Sequence, residues 1–328
     1  MSIQKSVLAL RPTAYYPLQE TAAGTITDAS GNGIDGATVG SGISYAQTGV
    51  WAPWPDQKLM TFPRSSNGYI SIPNFPAMGG SHTYSAWVRK DDTSLTHQTI
   101  FGQQGAADIL ACTYFKVADP NASKLAASIT TVPMSGGSMN GTTTGTSVGG
   151  SYDMVLGTTY HLAIVVDLST SPGTSSLYMN GALAGSSSLP VNANIVPGEG
   201  PMALGTGYYR NSVADFAGVS MAHVAFFPRA LTPTEIARLY SVATSNSGHT
   251  KVTGTVRDGA GVGVARVVRV YARGDGRLLG ETTSASDGFY TCPLFGGELE
   301  EVYVLALDDD SPPDYNAPIV DRQIPIGA

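Results

Sequence analysis

The sequence predicts an all-β protein made of two sandwich-type domains. Three observations carry that prediction. Short apolar runs recur along the 328 residues, separated by turn-forming Gly, Pro, Asn and Asp. Charged residues make up only 13% of the chain, well below the usual share of about 25%, while glycine numbers 39. A complete helix signature occurs in one segment alone.

In chain order, residues 69–72, 83–88, 99–102, 161–166 and 176–179 read as strands. Several alternate apolar with small or polar residues, as a half-buried strand requires. Asn180-Gly181 lies between two such runs and favours positive φ at both turn positions, so it predicts a tight hairpin. The helix follows at Thr232-Pro233-Thr234-Glu235: an N-cap Thr, Pro at the first helical position and a Glu that completes a capping box. Ile236, Leu239 and Tyr240 then supply one apolar face. The polar stretch after it predicts a linker at 244–250, between a domain over 1–243 and a second over 251–328. The second run has strands near 252–256, 267–271, 278–279, 289–290 and 302–307, the content of one small sandwich. Residues 130–151 are low in complexity and read as an exposed loop or hairpin tip, with a contact loop as the alternative.

Composition bounds the function. Net charge is −7, and no Lys/Arg cluster exceeds Arg89-Lys90, which argues against nucleic-acid binding. No apolar run approaches the length of a membrane span. The apolar stretch near Met1 is too short for a signal peptide, so synthesis in the cytoplasm is expected. Cys112 and Cys292 fall in different predicted domains and read as unpaired thiols.

The order of motifs resembles a known family. Tyr15-Tyr16-Pro17-Leu18 before Asp28-Ala29-Ser30-Gly31-Asn32-Gly33 resembles the opening of concanavalin A-like, laminin-G-like jelly rolls. Thr83-Tyr84-Ser85-Ala86-Trp87-Val88 resembles the family's tryptophan strand. His161 to Asp167 with Leu177-Tyr178-Met179-Asn180-Gly181, and Ala222-His223-Val224-Ala225-Phe226-Phe227 before Leu231-Thr232, are similar to its later strands. The tail is similar to a small carboxypeptidase-regulatory-like domain, immunoglobulin-like or transthyretin-like in build, through Gly254-Thr255-Val256, Arg269-Val270-Tyr271 and Asp287-Gly288-Phe289-Tyr290. Its end resembles C-terminal modules of tailed-bacteriophage structural proteins. The resemblance implies a virion protein, a capsid decoration or head fibre or a tail-tip or tail-fibre component. It would present a lectin-like domain to other virion proteins or a host-surface glycan, as a homo-oligomer in the particle. A stand-alone carbohydrate-binding lectin is the alternative, and a glycoside hydrolase the third.

Catalysis is not expected. Glycoside hydrolysis needs two carboxylates flanking the bond, and the related hydrolases place them in an E-x-D-x-x-E strand. Residues 1–245 hold only Glu20, Glu199 and Glu235, none in that pattern. Asp91 and Asp92 are adjacent, so on a strand they point to opposite faces. His82, His97, His161, His223 and His249 show no metal spacing. Trp51 and Trp54, with Tyr208, Tyr209 and Asn211, are the candidates for stacking on a sugar or contacting a partner, although core packing accounts for such aromatics equally well. The resemblance raises one cofactor, a structural Ca²⁺ for which Asp28 and Asn32 could supply oxygens. The plainer reading has Asp28 capping its own turn. Ala222-His223 stands where the family often carries an acidic residue, which weakens the site. Asp308-Asp309-Asp310 reads as a solvated strand end.

Overall fold

The computed structural model describes residues 3–47, 58–94, 97–104, 113–118, 126–129, 131–133, 154–191, 193–195, 198–209, 212–244, 251–274, 276–294, 301–307 and 319–323. The chain divides into two compact units, Gln4–Tyr240 and Ser241–Ala328 together with Met1–Ile3. Nearly all regular structure is β, as the alternation and turn chemistry predict.

In the larger unit two antiparallel sheets enclose one core. The first runs, in spatial order, Ala182–Ser188, Thr174–Met179, Thr159–Asp167, His82–Lys90, Val219–Phe227, Leu59–Phe62 and Ser44–Gln47, and Ala14–Tyr16 also pairs with Val219–Phe227. The second runs Ala126–Ile129, Thr113–Ala118, Gln98–Gln103, Met202–Leu204, Tyr69–Ile72, Gly36–Val39 and Thr25–Ile26. Alternate residues of the first sheet (Tyr84, Ala86 and Val88; Leu162, Ile164 and Val166) meet Ile70, Ile72, Phe101 and Leu204 of the second. This is the two-sided packing that period-two patterning encodes.

The strand Val219–Phe227 breaks that period. Its register against His82–Lys90 shifts between Ala222 and Ala225, which face Trp87 and Ser85. One extra residue is therefore accommodated as a β-bulge, with His223 at φ 52°. The shift lets Val219 and Met221 before it, and Val224 and Phe226 after it, all enter the core.

The outer face of the first sheet is also covered. The helix Pro233–Thr244 begins on the predicted capping box: the Glu235 N–H donates to Thr232 Oγ1 (3.2 Å) and the Thr232 N–H to Glu235 Oε2 (2.8 Å). Arg229 adds an ion pair to Glu235 at 2.7 Å. The apolar face of the helix lies on Trp87, whose ring stacks on Tyr240 at 5.8 Å. The Asn180-Gly181 turn has φ values of 51° and 78°, and a Cβ on Gly181 would come within 3.0 Å of Tyr240. Glycine thus serves both the turn and the approach of the helix. A short helix, Ile3–Ala9, precedes the first strand; it has no acidic residue in its first turn and no basic residue in its last, and the sequence reading does not anticipate it.

The smaller unit has a two-stranded sheet, Lys251–Thr255 with Phe289–Pro293, and a four-stranded one in the order Leu278–Thr283, Val267–Ala272, Val302–Ala306, Ile319–Gln323. Val252, Tyr290 and Cys292 of the former share a core with Val268, Val270, Val302 and Val304 of the latter. Cys292 is a free thiol, and burial pushes its pKa up to about 11, so it is unreactive. Cys112 lies outside the described residues.

Three histidines of the larger unit are buried. Burial lowers the pKa of His82 to about 4, and those of His161 and His223 to about 3. His161 nests under Trp87 at 5.2 Å, with Nε2 2.9 Å from Ser85 Oγ. All three imidazoles fold neutral, so below the ordinary value of 6.5 the unfolded chain binds more protons than the folded one. Stability is then complete above pH 6.5 and declines as pH falls towards the folded values, by up to about 1.4 kcal/mol per pH unit for each histidine. Thermal melts at pH 7, 6, 5 and 4.5 are expected to show a progressive loss of Tm, with a shallower slope in His161→Gln. An unchanged Tm over that range would refute the assignment.

Candidate functional site

A cleft of about 520 Å³ opens in the larger unit, lined by Arg64, Ser65, Asp92, His97, Asp215 and Phe216. Its members directly flank core strands. Arg64 and Ser65 follow Leu59–Phe62, Asp92 follows His82–Lys90, His97 precedes Gln98–Gln103, and Asp215 and Phe216 precede Val219–Phe227. The two sheets thus supply the walls from their strand ends, a rigid mounting for binding loops.

Hydrogen bonds from backbone N–H groups lock these ends together. The Asp91 N–H donates to Gly218 O (2.8 Å), the Thr99 N–H to Asp215 O (2.9 Å) and the Gly218 N–H to Gln98 Oε1 (2.9 Å). A Cβ on Gly218 would lie 2.3 Å from that of Asp92, so glycine is what lets the Asp92 loop close. Asp92 Oδ1 accepts from the Ser94 N–H at 2.7 Å and from the Gln98 amide at 3.5 Å. Asp91 points elsewhere, to Arg89 and Ser220, so the two adjacent aspartates do face apart. Asp215 adopts φ 63°, a conformation an aspartate tolerates better than most residues. Asp215 and Phe216, although consecutive, both line this cleft. The Phe216 ring is held edge-on by Tyr69 at 6.3 Å.

A guanidinium, two carboxylates, an imidazole, a hydroxyl and an aromatic face therefore converge in a space of ligand-binding size. Carboxylates and guanidinium suit hydroxyl-rich ligands, and the ring suits an apolar sugar face. None of these residues stands out in the sequence. They come from four separated segments, and the only shared signal is that each borders a strand.

Of the contact residues anticipated from sequence, Tyr208 has a described side chain, and it does not line this cleft. Tyr208 is 5% exposed within Gly207–Tyr209, and burial raises its phenol pKa, so it has no ring face to offer. Tyr209 belongs to the same strand. Trp51, Trp54, Asn211 and Asp308-Asp309-Asp310, with most of 130–151, lie outside the described residues.

Asp28 and Asn32 do share one turn. Asp28 Oδ1 accepts the N–H groups of Tyr15 and Ser30, each at 2.9 Å. Its Oδ2 accepts the Ser30 hydroxyl at 2.7 Å and the Ile34 N–H at 3.1 Å. That fills the acceptor capacity of a carboxylate. Asn32 turns its amide nitrogen to Pro12 O and Thr13 O. Across the sheet, the bulge aims His223 Nδ1 at the Tyr15 hydroxyl, 2.7 Å away. The Asp28 carboxylate thus does not fit a calcium ion, because both its oxygens already accept hydrogen bonds, and the side chain facing the turn is a neutral imidazole. Among the described residues no group of three or more His, Cys, Asp or Glu is placed to hold a metal.

The family model of the concanavalin A-like lectin/glucanases superfamily matches residues 64–237. Among solved structures, domain 4 of a GH43 extracellular arabinanase from Geobacillus stearothermophilus, in complex with arabinotriose, is 19% identical; the match covers 70% of this chain and 98% of that one, with a TM-score of 0.45. The botulinum neurotoxin type G receptor-binding domain is 14% identical over 92% of this chain and 73% of its own, with a TM-score of 0.47. A Trypanosoma rangeli sialidase is 15% identical over 70% and 32%, with a TM-score of 0.43. No curated protein matches the chain.

If hydrogen bonds alone hold the Asp28 turn, a chelator and added calcium will both leave Tm unchanged. Asp28→Ala strands its buried donors and is expected to cost about 2–4 kcal/mol in a denaturant titration. A calcium-dependent rise in Tm that Asp28→Ala abolishes would restore the metal.

Proposed function

This chain belongs to the concanavalin A-like lectin/glucanases superfamily, and we propose that its jelly roll is a non-catalytic module that binds a glycan in the cleft between Arg64 and Phe216. The observation that supports this most is the convergence of Arg64, Asp92, Asp215 and Phe216 on one cleft. Charged groups there can hold sugar hydroxyls while the ring takes the C–H face. A glycan array probed with the full chain should give a defined set of positives. Phe216→Ala and Arg64→Ala should each weaken the best of them at least tenfold. Array positives that both variants retain would move the site elsewhere.

Hydrolysis is the second reading, favoured by two carboxylates, Asp92 and Asp215, in one cleft. The binding reading is preferred because the Ser94 N–H and the Gln98 amide already engage Asp92 Oδ1 and tie that carboxylate to its own loop, whereas a hydrolase needs both carboxylates set against the scissile bond. Release of reducing ends from a bound polysaccharide, lost in Asp92→Asn or Asp215→Asn, would replace binding by catalysis.

In its biological setting we propose a structural protein of a tailed-phage virion, at the head surface or the tail, repeated there as a homo-oligomer. The support is the resemblance of the region after residue 251 to carboxypeptidase-regulatory-like and phage C-terminal modules, the former carried by Arg269-Val270-Tyr271 and Asp287-Gly288-Phe289-Tyr290. The smaller unit would dock to the particle and the jelly roll would face the host. No helix among the described residues is long and apolar enough to cross a membrane. Mass spectrometry of purified particles should find the chain at the fixed copy number of a symmetric component. Its absence from particles, with abundant free protein in the lysate, would leave the lectin without the virion.

A further inference from the structure

We infer that the cleft selects a glycan bearing free amino groups, positively charged hexosamine units, over neutral and acidic glycans. This rests on the cleft being a glycan site. Among the described lining residues one guanidinium stands with two carboxylates, so carboxylates outnumber guanidinium groups there. The carboxylates are also unequal. Asp92 is committed through Oδ1 to the Ser94 N–H and the Gln98 amide, which leaves Oδ2 for a ligand. No described residue donates a hydrogen bond to the Asp215 carboxylate, although its backbone carbonyl is fastened by the Thr99 N–H.

Asp215, at φ 63°, and Phe216 both line the cleft, and the Phe216 ring packs edge-on against Tyr69. A hexosamine fits that pair. Its C–H face lies on Phe216, and its ammonium, a group with three donors, reaches the acceptor-only carboxylates and the π-face. A neutral sugar would leave Asp215 partly desolvated without an opposite charge. A uronate or sialate would bring a third carboxylate beside the two present, the like-charge juxtaposition by which sites reject wrong partners.

Calorimetry on the full chain tests this with three probes: a glucosamine tetrasaccharide with free amines, its fully N-acetylated counterpart and a galacturonate tetrasaccharide. The free-amine probe is expected to bind at least tenfold tighter than the acetylated one, with galacturonate weakest. Raising the salt from 20 to 300 mM should narrow the gap, because the preference is electrostatic. Asp215→Asn keeps a side chain that tolerates the left-handed backbone and serves as the folded variant. It should remove the preference for the amine, so that the free-amine and acetylated probes bind the variant within threefold of each other. Equal affinity for amine and acetylated probes, or a preference that survives Asp215→Asn, overturns the selectivity and leaves the glycan site standing. Failure of every probe, and of every glycan on the array, overturns both.

Discussion

The one-residue bulge at His223 is the constraint on which the larger unit depends. Without it, the alternation that puts Val219 and Met221 inward would carry on to His223 and Ala225, and Val224 and Phe226 would face out. With it, Phe226 becomes the centre of an aromatic cluster. Its ring lies 4.8 Å from Phe75, 4.9 Å from Tyr84, 5.7 Å from Phe101 and 6.4 Å from Tyr16, which joins the two sheets to the first strand. Left-handed backbone at a histidine costs on the order of 1–3 kcal/mol. Burying a Phe and a Val, at about 1.5–3 kcal/mol each, offsets that before edge-to-face ring pairs are counted. The displaced imidazole is also used outside the core, where it stacks on Tyr15 at 6.1 Å and holds the first strand through the phenol.

The same strand joins the core to the cleft. Gly218 immediately precedes Val219 and is bonded to residues of both sheets, Gln98 through its N–H and Asp91 through its carbonyl. A shift in the register of Val219–Phe227 would therefore move Asp215 and Phe216 together with the Phe226 cluster. Positioning at the cleft is inherited from core packing, which is why a loop-built site can be rigid.

Much of the fold was legible because its determinants are local. Asn180-Gly181 and Thr232-Pro233-Thr234-Glu235 each carry their conformation within four residues, and the strands in between show their period directly. The bulge was hidden for a physical reason. Val219–Phe227 is apolar or small at almost every position and buried throughout, so no alternation remains in which a one-residue shift could be seen. The cleft was hidden for another. Its residues are brought together by long-range strand pairing, and the sequence, which shows Asp91 and Asp92 only as adjacent carboxylates, does not tell the ion-paired one from the one at the cleft. Tyr208 misled because an aromatic pair in a turn-rich stretch looks alike whether it is presented or buried.

Saturation separates the Asp28 carboxylate from that of Asp215, which we propose meets a ligand. Asp28 and Asp215 both sit in loops beside the core, and both have their local backbone fixed by hydrogen bonds. Asp28 spends all its acceptor positions on Tyr15, Ser30 and Ile34, so its charge is consumed in closing a turn. Asp215 is held by its backbone carbonyl instead, at φ 63°, and no described residue donates to its carboxylate. A protein gains no stability from leaving such a group unsatisfied in a half-buried cleft, and pays for the strained φ besides. The arrangement makes physical sense when the missing donor arrives with a ligand.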